Sequence, residues 1–181
     1  MSMQGKKVGI IGMRMRTHHV YYNRKSPYLD DIFDWQIEHL RMLAKQDCIF
    51  LIGCADHWDS RAMKWLYHNG YEKQIHLILP FPGFGSKQGQ DWRHVREQLE
   101  YAKQVTYMQA KDENKPMKKL LDNRNLLLIR ESDYILWLWD GVQMDSYHHL
   151  IWQKKPGYIF PWKQYVQKNL DNPVAPKALQ Y

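Results

Sequence analysis

The sequence has few cysteines, no long apolar run and none of the common metal-ligand spacings. Its two cysteines, Cys48 and Cys54, fall in one predicted strand, where they lie roughly 20 Å apart and cannot pair. No segment reaches the ~20 apolar residues of a membrane span, and the first residues contain no apolar run of signal-peptide length. We therefore expect a cytoplasmic protein in a reducing compartment, with no membrane partner, no metal and no cofactor.

Positive charge and aromatic side chains are abundant. Lys and Arg number 26 against 19 Asp and Glu, which gives a net charge of +7, and 14% of the residues are aromatic. A positive field favours nucleotides, nucleic acid or anionic lipid, although a basic surface without such a partner is an equally good interpretation. The surplus of aromatic residues favours a groove or an interface, so we expect a homo-oligomer.

Apolar runs alternate with segments of helical period along the chain. Six runs predict strands: Lys7–Gly12, Cys48–Ala55, Gln74–Phe81, Gln104–Met108, Asp133–Asp140 and Gly157–Trp162. Five segments predict helices: Leu29–Lys45, Ser60–Asn69, Asp91–Lys103, Pro116–Glu131 and Asp145–Gln153. This order predicts an α/β, Rossmann-like, doubly wound and mainly parallel sheet of about six strands, with helices on both faces. We expect one domain over residues 1–165 and a C-terminal tail over 166–181.

Ligands of such sheets bind beyond the carboxyl ends of the strands. Our candidate ligand-binding residues are Gly12, Arg14, Gly53, Ala55, Asp59, Arg124, Asn125, Asp140 and Gly141. After the first strand, a tight turn at Gly12 followed by backbone amides and Arg14 would suit a phosphate. The alternative is a plain strand-ending glycine followed by a solvated arginine.

The other candidates also have two interpretations. Asp59 enters the first turn of a predicted helix, where it would cap the helix or accept hydrogen bonds from ribose hydroxyls. Arg124 would reach a phosphate and Asn125 a base or a backbone group, or both would lie on an exposed stripe of their helix. Asp140 and Gly141 would face the crevice or form an ordinary turn. No residue is assigned a catalytic role.

These segments, taken in order, resemble the SLOG superfamily, which includes DNA-processing protein A and the Lonely Guy phosphoribohydrolases, and within it the YpsA-like branch. The matching residues are Ile11-Gly12-Met13-Arg14, Gly53, Ala55, Asp59, Ala62, Leu79-Pro80-Phe81, Trp92, Arg124-Asn125, Ser132-Asp133 and Trp139-Asp140-Gly141. The resemblance covers roughly residues 7–160 and implies a Rossmann-like fold with a nucleotide-like ligand.

The sequence also departs from the family. Cys54 and His57 stand where the family usually has glycine. The residues from Gly141 to Tyr147 lack the phosphate-cradling glycines and the catalytic glutamate of the Lonely Guy enzymes. The resemblance therefore supports the fold and the ligand class more than that enzymatic activity.

Three functions follow from these observations. The first is binding of a nucleotide or nucleotide-derived small molecule in the crevice. The second is hydrolysis of an N-glycosidic bond in a nucleotide, which requires a carboxylate near the anomeric carbon, from Asp59, Asp140 or Asp145. The third is binding of single-stranded nucleic acid, for which basic residues interleaved with aromatic ones are suited.

Overall fold

The computed structural model describes residues 3–12, 27–55, 58–85, 93–108, 116–138 and 158–159. The strands are β1 (Lys7–Gly12), β2 (Ile49–Ile52), β3 (Ile75–Leu79), β4 (Gln104–Tyr107), β5 (Tyr134–Leu138) and β6 (Tyr158–Ile159). The helices in these ranges are α1 (Pro27–Ala44), α2 (Trp58–His68), α3 (Arg93–Tyr101) and α4 (Met117–Glu131), with a 3-10 turn at Glu72–Gln74. Within the described parts of the chain, no helix is long and apolar enough to cross a bilayer.

The six strands form one parallel sheet in the order β4-β3-β2-β1-β5-β6. Gly9 in β1 lies opposite Leu51 in β2 and Ile135 in β5. The strand order reverses at β1, so the switch point of the sheet lies between β1 and β5. The predicted doubly wound α/β class is confirmed.

Alternate residues of β1 face opposite layers of helices, as the pleat of a strand requires. A Cβ built on Gly9 would lie 2.8 Å from Cδ2 of Leu128 in α4, whereas one built on Gly12 would overlap the indole of Trp58 in α2. Right-handed connections place α1, α2 and α3 on one face and α4 on the other. Both faces of the central strands are therefore buried, which explains why these strands are continuous apolar runs.

The two edges of the sheet differ in the length of their connections. At the amino edge, the helices lead into the next strand through residues 45–48, 69–74, 102–103 and 132–133. A backbone hydrogen bond also joins one of these connections to the start of β1, because the N–H of Asp133 donates to the carbonyl of Lys7 at 2.8 Å. At the carboxyl edge, the strands lead into the next helix through 13–26, 53–57, 80–92 and 108–116. Three of these four are longer than any connection at the amino edge, and long connections are where binding residues concentrate.

Several predicted boundaries need correction. Strand β2 ends at Ile52 and not at Ala55, because Cys54 has a φ of 59° and turns the chain out of the sheet. Helix α1 begins at Pro27, two residues before its predicted start at Leu29. The predicted helix over 145–153 and the predicted tail over 166–181 lie outside the described residues.

Candidate functional site

The connection between β2 and α2 lies at the carboxyl edge, next to the end of β1. Gly53 and Cys54 are buried, whereas Ala55 is exposed. The left-handed backbone of Cys54 is uncommon for a residue with a side chain, and such conformations persist only where surrounding contacts hold them. The described part of this connection, residues 53–55, is named the β2–α2 loop below.

Asp59 holds the β2–α2 loop from the first turn of α2. Its Oδ2 accepts a hydrogen bond from the backbone N–H of Ala55 at 2.8 Å, and the N–H of Gly53 also stabilises its charge. The Asp59 carboxylate thus accepts hydrogen bonds from the backbone that precedes α2 in the chain. Burial raises the pKa of Asp59 to about 6, although Arg124 and the two N–H groups act to lower it. Asp59 is only 5% exposed, so it lies beneath the loop.

Arg124 approaches the same loop from α4, on the opposite face of the sheet. Its side chain is 5% exposed, so the alternative of an exposed stripe is wrong for Arg124, while its neighbour Asn125 is half-buried. A Cβ built on Gly53 would lie 2.6 Å from the Cζ of Arg124 and 3.0 Å from its Nε. Only glycine at position 53 leaves room for the guanidinium, which packs directly against the backbone there.

Two glutamines complete the support of this connection, and the sequence interpretation missed both. The amide of Gln98, in α3, donates to the carbonyl of Ala55 at 3.1 Å. The amide of Gln36, in α1, donates to the carbonyl of Trp58 at 3.1 Å. Both side chains are fully buried. Each of the four helices therefore contributes at least one buried polar side chain to the start of α2 or to the loop before it.

Helical spacing was the signal that could have revealed these glutamines. Gln36 lies four residues before Leu40 and seven before Leu43, and Gln98 lies three residues after Val95. All of these apolar residues are buried, so both glutamines occupy the apolar stripe of an amphipathic helix. A polar side chain at such a position is buried and needs a hydrogen-bond partner.

The remaining predicted site residues have mixed outcomes. Gly12 ends β1, and its lack of a side chain makes room for the Trp58 indole. Gly12, Gly53, Asp59 and Arg124 thus surround the carboxyl ends of β1 and β2. Arg14, Asp140 and Gly141 lie outside the described residues, as does Asp145, a proposed carboxylate for glycosidic cleavage.

The surroundings of the Cys54 thiol raise its pKa and so favour its protonated form at neutral pH. Burial is the main cause that raises the pKa of Cys54, and the charge of Asp59 adds to it, while Arg124 acts in the opposite direction. A thiol with a raised pKa is a poor nucleophile and a poor metal ligand. Among residues whose positions are described, no group of three or more His, Cys, Asp or Glu could hold a metal ion.

Comparison with known structures gives a fold relative. A solved structure of DNA processing protein A from Helicobacter pylori, described for its unique single-stranded DNA binding mode, matches with a TM-score of 0.62. The match covers 96% of this chain and 75% of that one, at 19% sequence identity. The chain has the fold of DNA processing protein A. At this identity the similarity concerns the fold alone, and the sequence matches no protein-family model and no curated protein.

Proposed function

We propose that the protein binds a nucleotide or nucleotide-derived ligand through its phosphate, at the carboxyl ends of β1 and β2. The observation that carries this proposal is the β2–α2 loop, whose backbone is held by Asp59 and packed against the Arg124 guanidinium. The N–H groups of Gly53 and Ala55 are bonded to Asp59, so the backbone donors that would face an anion are those in the first turn of α2, which the fixed loop holds next to exposed Ala55. The switch point of the sheet lies next to it.

The charge of the neighbouring connection supports an anionic ligand. Residues 13–26 leave β1 at this same edge and contain Arg14, Arg16, Arg24 and Lys25 but no Asp or Glu. Half-buried Asn125 follows Arg124 on α4 and would contribute a polar contact. Asp140 and Gly141, which follow β5, belong to the proposed site on the sequence argument alone. The finer assignment to the YpsA-like branch of the SLOG superfamily is part of the same proposal.

A thermal-shift and calorimetry screen tests the proposal. The probes are nucleoside mono-, di- and triphosphates, cyclic nucleotides and ADP-ribose, each well above its expected dissociation constant. A true ligand raises the melting temperature by mass action. We expect the shift to be lost in a double variant, Arg14→Ala with Arg16→Ala.

The matched control removes the same charge at the opposite edge of the sheet. Arg41 and Lys45 are exposed near the amino edge, so Arg41→Ala with Lys45→Ala changes the net charge equally. We expect this control to bind as the wild type does. Equal loss in both double variants would show a general charge effect and contradict a site at the carboxyl edge, as would the absence of any shift with the whole panel.

Single-stranded DNA is the second candidate ligand. The similarity to DNA processing protein A, whose single-stranded DNA binding mode has been described, favours it, as does the net charge of +7. The test is fluorescence anisotropy of a labelled oligothymidine at several salt concentrations, since phosphate contacts give affinity that falls steeply with salt. Competition by a mononucleotide would place both ligands in one site, whereas binding without competition would place the DNA elsewhere.

A further inference from the structure

Two opposite charges meet beneath the proposed site. Asp59 comes from α2 on one face of the sheet and bonds to the Ala55 N–H at 2.8 Å, while Arg124 comes from α4 on the other face and packs its guanidinium against Gly53, two residues earlier in the same loop. Both side chains are only 5% exposed, so water screens their interaction weakly. While Asp59 is ionised, its charge offsets the positive charge that Arg124 would present to an anion on the loop.

Among the described residues, few other groups can alter this balance. The loop contributes Cys54, which is a neutral thiol, and β1 contributes Gly12 and apolar side chains. The α1 and α3 helices contribute the uncharged carboxamides of Gln36 and Gln98. On α2 itself, the neighbouring charged side chains Arg61 and Lys64 are exposed, and Lys64 pairs with Glu97 at 2.9 Å. Arg124 is therefore the charged partner of Asp59 that is buried with it.

We propose that anion binding at the β2–α2 loop is coupled to proton uptake by Asp59, so that the site takes up an anion and a proton together. This inference rests on the proposed function. When Asp59 is protonated, its carboxylate no longer offsets the charge of Arg124, and the local potential at the loop becomes positive. When an anion binds, its charge in turn makes ionised Asp59 less favourable. The two events favour each other, as linkage requires.

The pKa of Asp59 places this coupled uptake of an anion and a proton near neutral pH. Burial raises its pKa to about 6, so the carboxylate is mostly ionised at neutral pH and within reach of protonation. We therefore expect anion affinity to fall as the pH rises through this value. The upper limit is about tenfold in affinity for each pH unit above 6, reached if only the protonated form binds.

The experiment uses probes that carry a fixed charge between about pH 5 and pH 8, namely sulfate and a cyclic nucleotide monophosphate. Calorimetry of the wild type at about pH 7, in two buffers of different ionisation enthalpy, measures the protons taken up on binding. We expect net uptake of a fraction of one proton. Because this measurement needs no variant, it does not depend on how substitutions affect folding.

Two variants assign the proton to its residue. Asp59→Asn removes the titrating charge and keeps one oxygen that can accept from the Ala55 N–H, so its binding of both probes should be the same at pH 5 and pH 8 and should take up no proton. Asp47→Asn makes the same chemical change at an exposed residue of the amino edge and should keep the wild-type profile.

The outcomes separate this inference from the proposed function. Binding of either probe without proton uptake in the wild type, or with uptake that persists in Asp59→Asn, would overturn the coupling and leave the binding site standing. Failure of both probes, and of the whole nucleotide panel, to bind at any pH would overturn the proposed function and the coupling together.

Discussion

Adding one methyl group at Gly53 tests the central contact of the site. The φ of Gly53 lies outside the left-handed region, so an alanine there is not strained by its backbone. Its Cβ, however, would lie 2.6 Å from the Cζ of Arg124 and would overlap the guanidinium. The arginine must move, and its interaction with Asp59 weakens.

The magnitude follows from two costs. Forcing an extra carbon into a packed region costs about 1–3 kcal/mol, and disrupting a buried charge pair costs roughly 3–5 kcal/mol when it is complete. Because the arginine can shift without losing its partner entirely, we expect Gly53→Ala to lower the free energy of unfolding by about 3 kcal/mol. For a domain of 181 residues this corresponds to a decrease of roughly 6–12 °C in melting temperature.

A double-mutant cycle identifies the cause. In an Arg124→Ala background the clash is absent, so Gly53→Ala should cost little there, which gives a coupling energy of about 2–3 kcal/mol from denaturant unfolding. Gly12→Ala is the control, because its Cβ would meet Trp58 and its cost should be the same in both backgrounds. Additive effects of Gly53→Ala and Arg124→Ala, within about 0.5 kcal/mol, would refute the direct contact.

Three further predictions concern the side chains around the loop. Burial raises the pKa of the Cys48 and Cys54 thiols, so a thiol reagent should modify native protein slowly at neutral pH and unfolded protein rapidly; fast modification of the native protein would contradict this. The pKa of Asp59 is about 6 in the folded protein and 3.8 in the unfolded chain. Its contribution to the free energy of unfolding is therefore largest below pH 3.8, falls as the pH rises from 3.8 to 6, and is constant above pH 6. The difference in unfolding free energy between wild type and Asp59→Asn should therefore change by about 3 kcal/mol across that interval, and a difference that does not vary with pH would be evidence against the raised pKa. Gln98→Leu removes the bond to the Ala55 carbonyl, but exposed Ala55 can bond to water instead. It also removes the side-chain oxygen of Gln98, which has no hydrogen-bond partner within the described part of the chain, so the unfolding free energy should change by less than about 1 kcal/mol; a loss above about 3 kcal/mol would show that the bond is essential.

The sheet could be predicted from sequence because its central strands are buried on both faces. Continuous apolar runs such as those of β1 and β5 are sufficient for that inference. The end of β2 could not be predicted, because small or apolar residues such as Gly53, Cys54 and Ala55 also occur inside buried strands. The left-handed backbone of Cys54 is set by its surroundings, and no periodicity encodes it.

The site could be predicted only in part, for a related reason. Gly53 and Asp59 are close in sequence, so a local sequence motif is enough to predict both as site residues. Arg124 follows more than sixty residues later, and its contact with Gly53 requires that α4 cross to the other face of the sheet. Gln36 and Gln98 were overlooked because glutamine in a helix is usually exposed.

The unequal connections at the two edges have a consequence for how this protein can change. Residues 102–103 and 132–133 join a helix to the next strand in only two residues. Closing such short connections costs little chain entropy, and they leave little freedom for the strand that follows to shift its register. The long segments 13–26 and 80–92 add little further entropy cost as they lengthen, because loop closure depends only weakly on length. Substitutions and insertions in those segments can therefore alter which ligand is recognised, while the short connections preserve the architecture on which recognition depends.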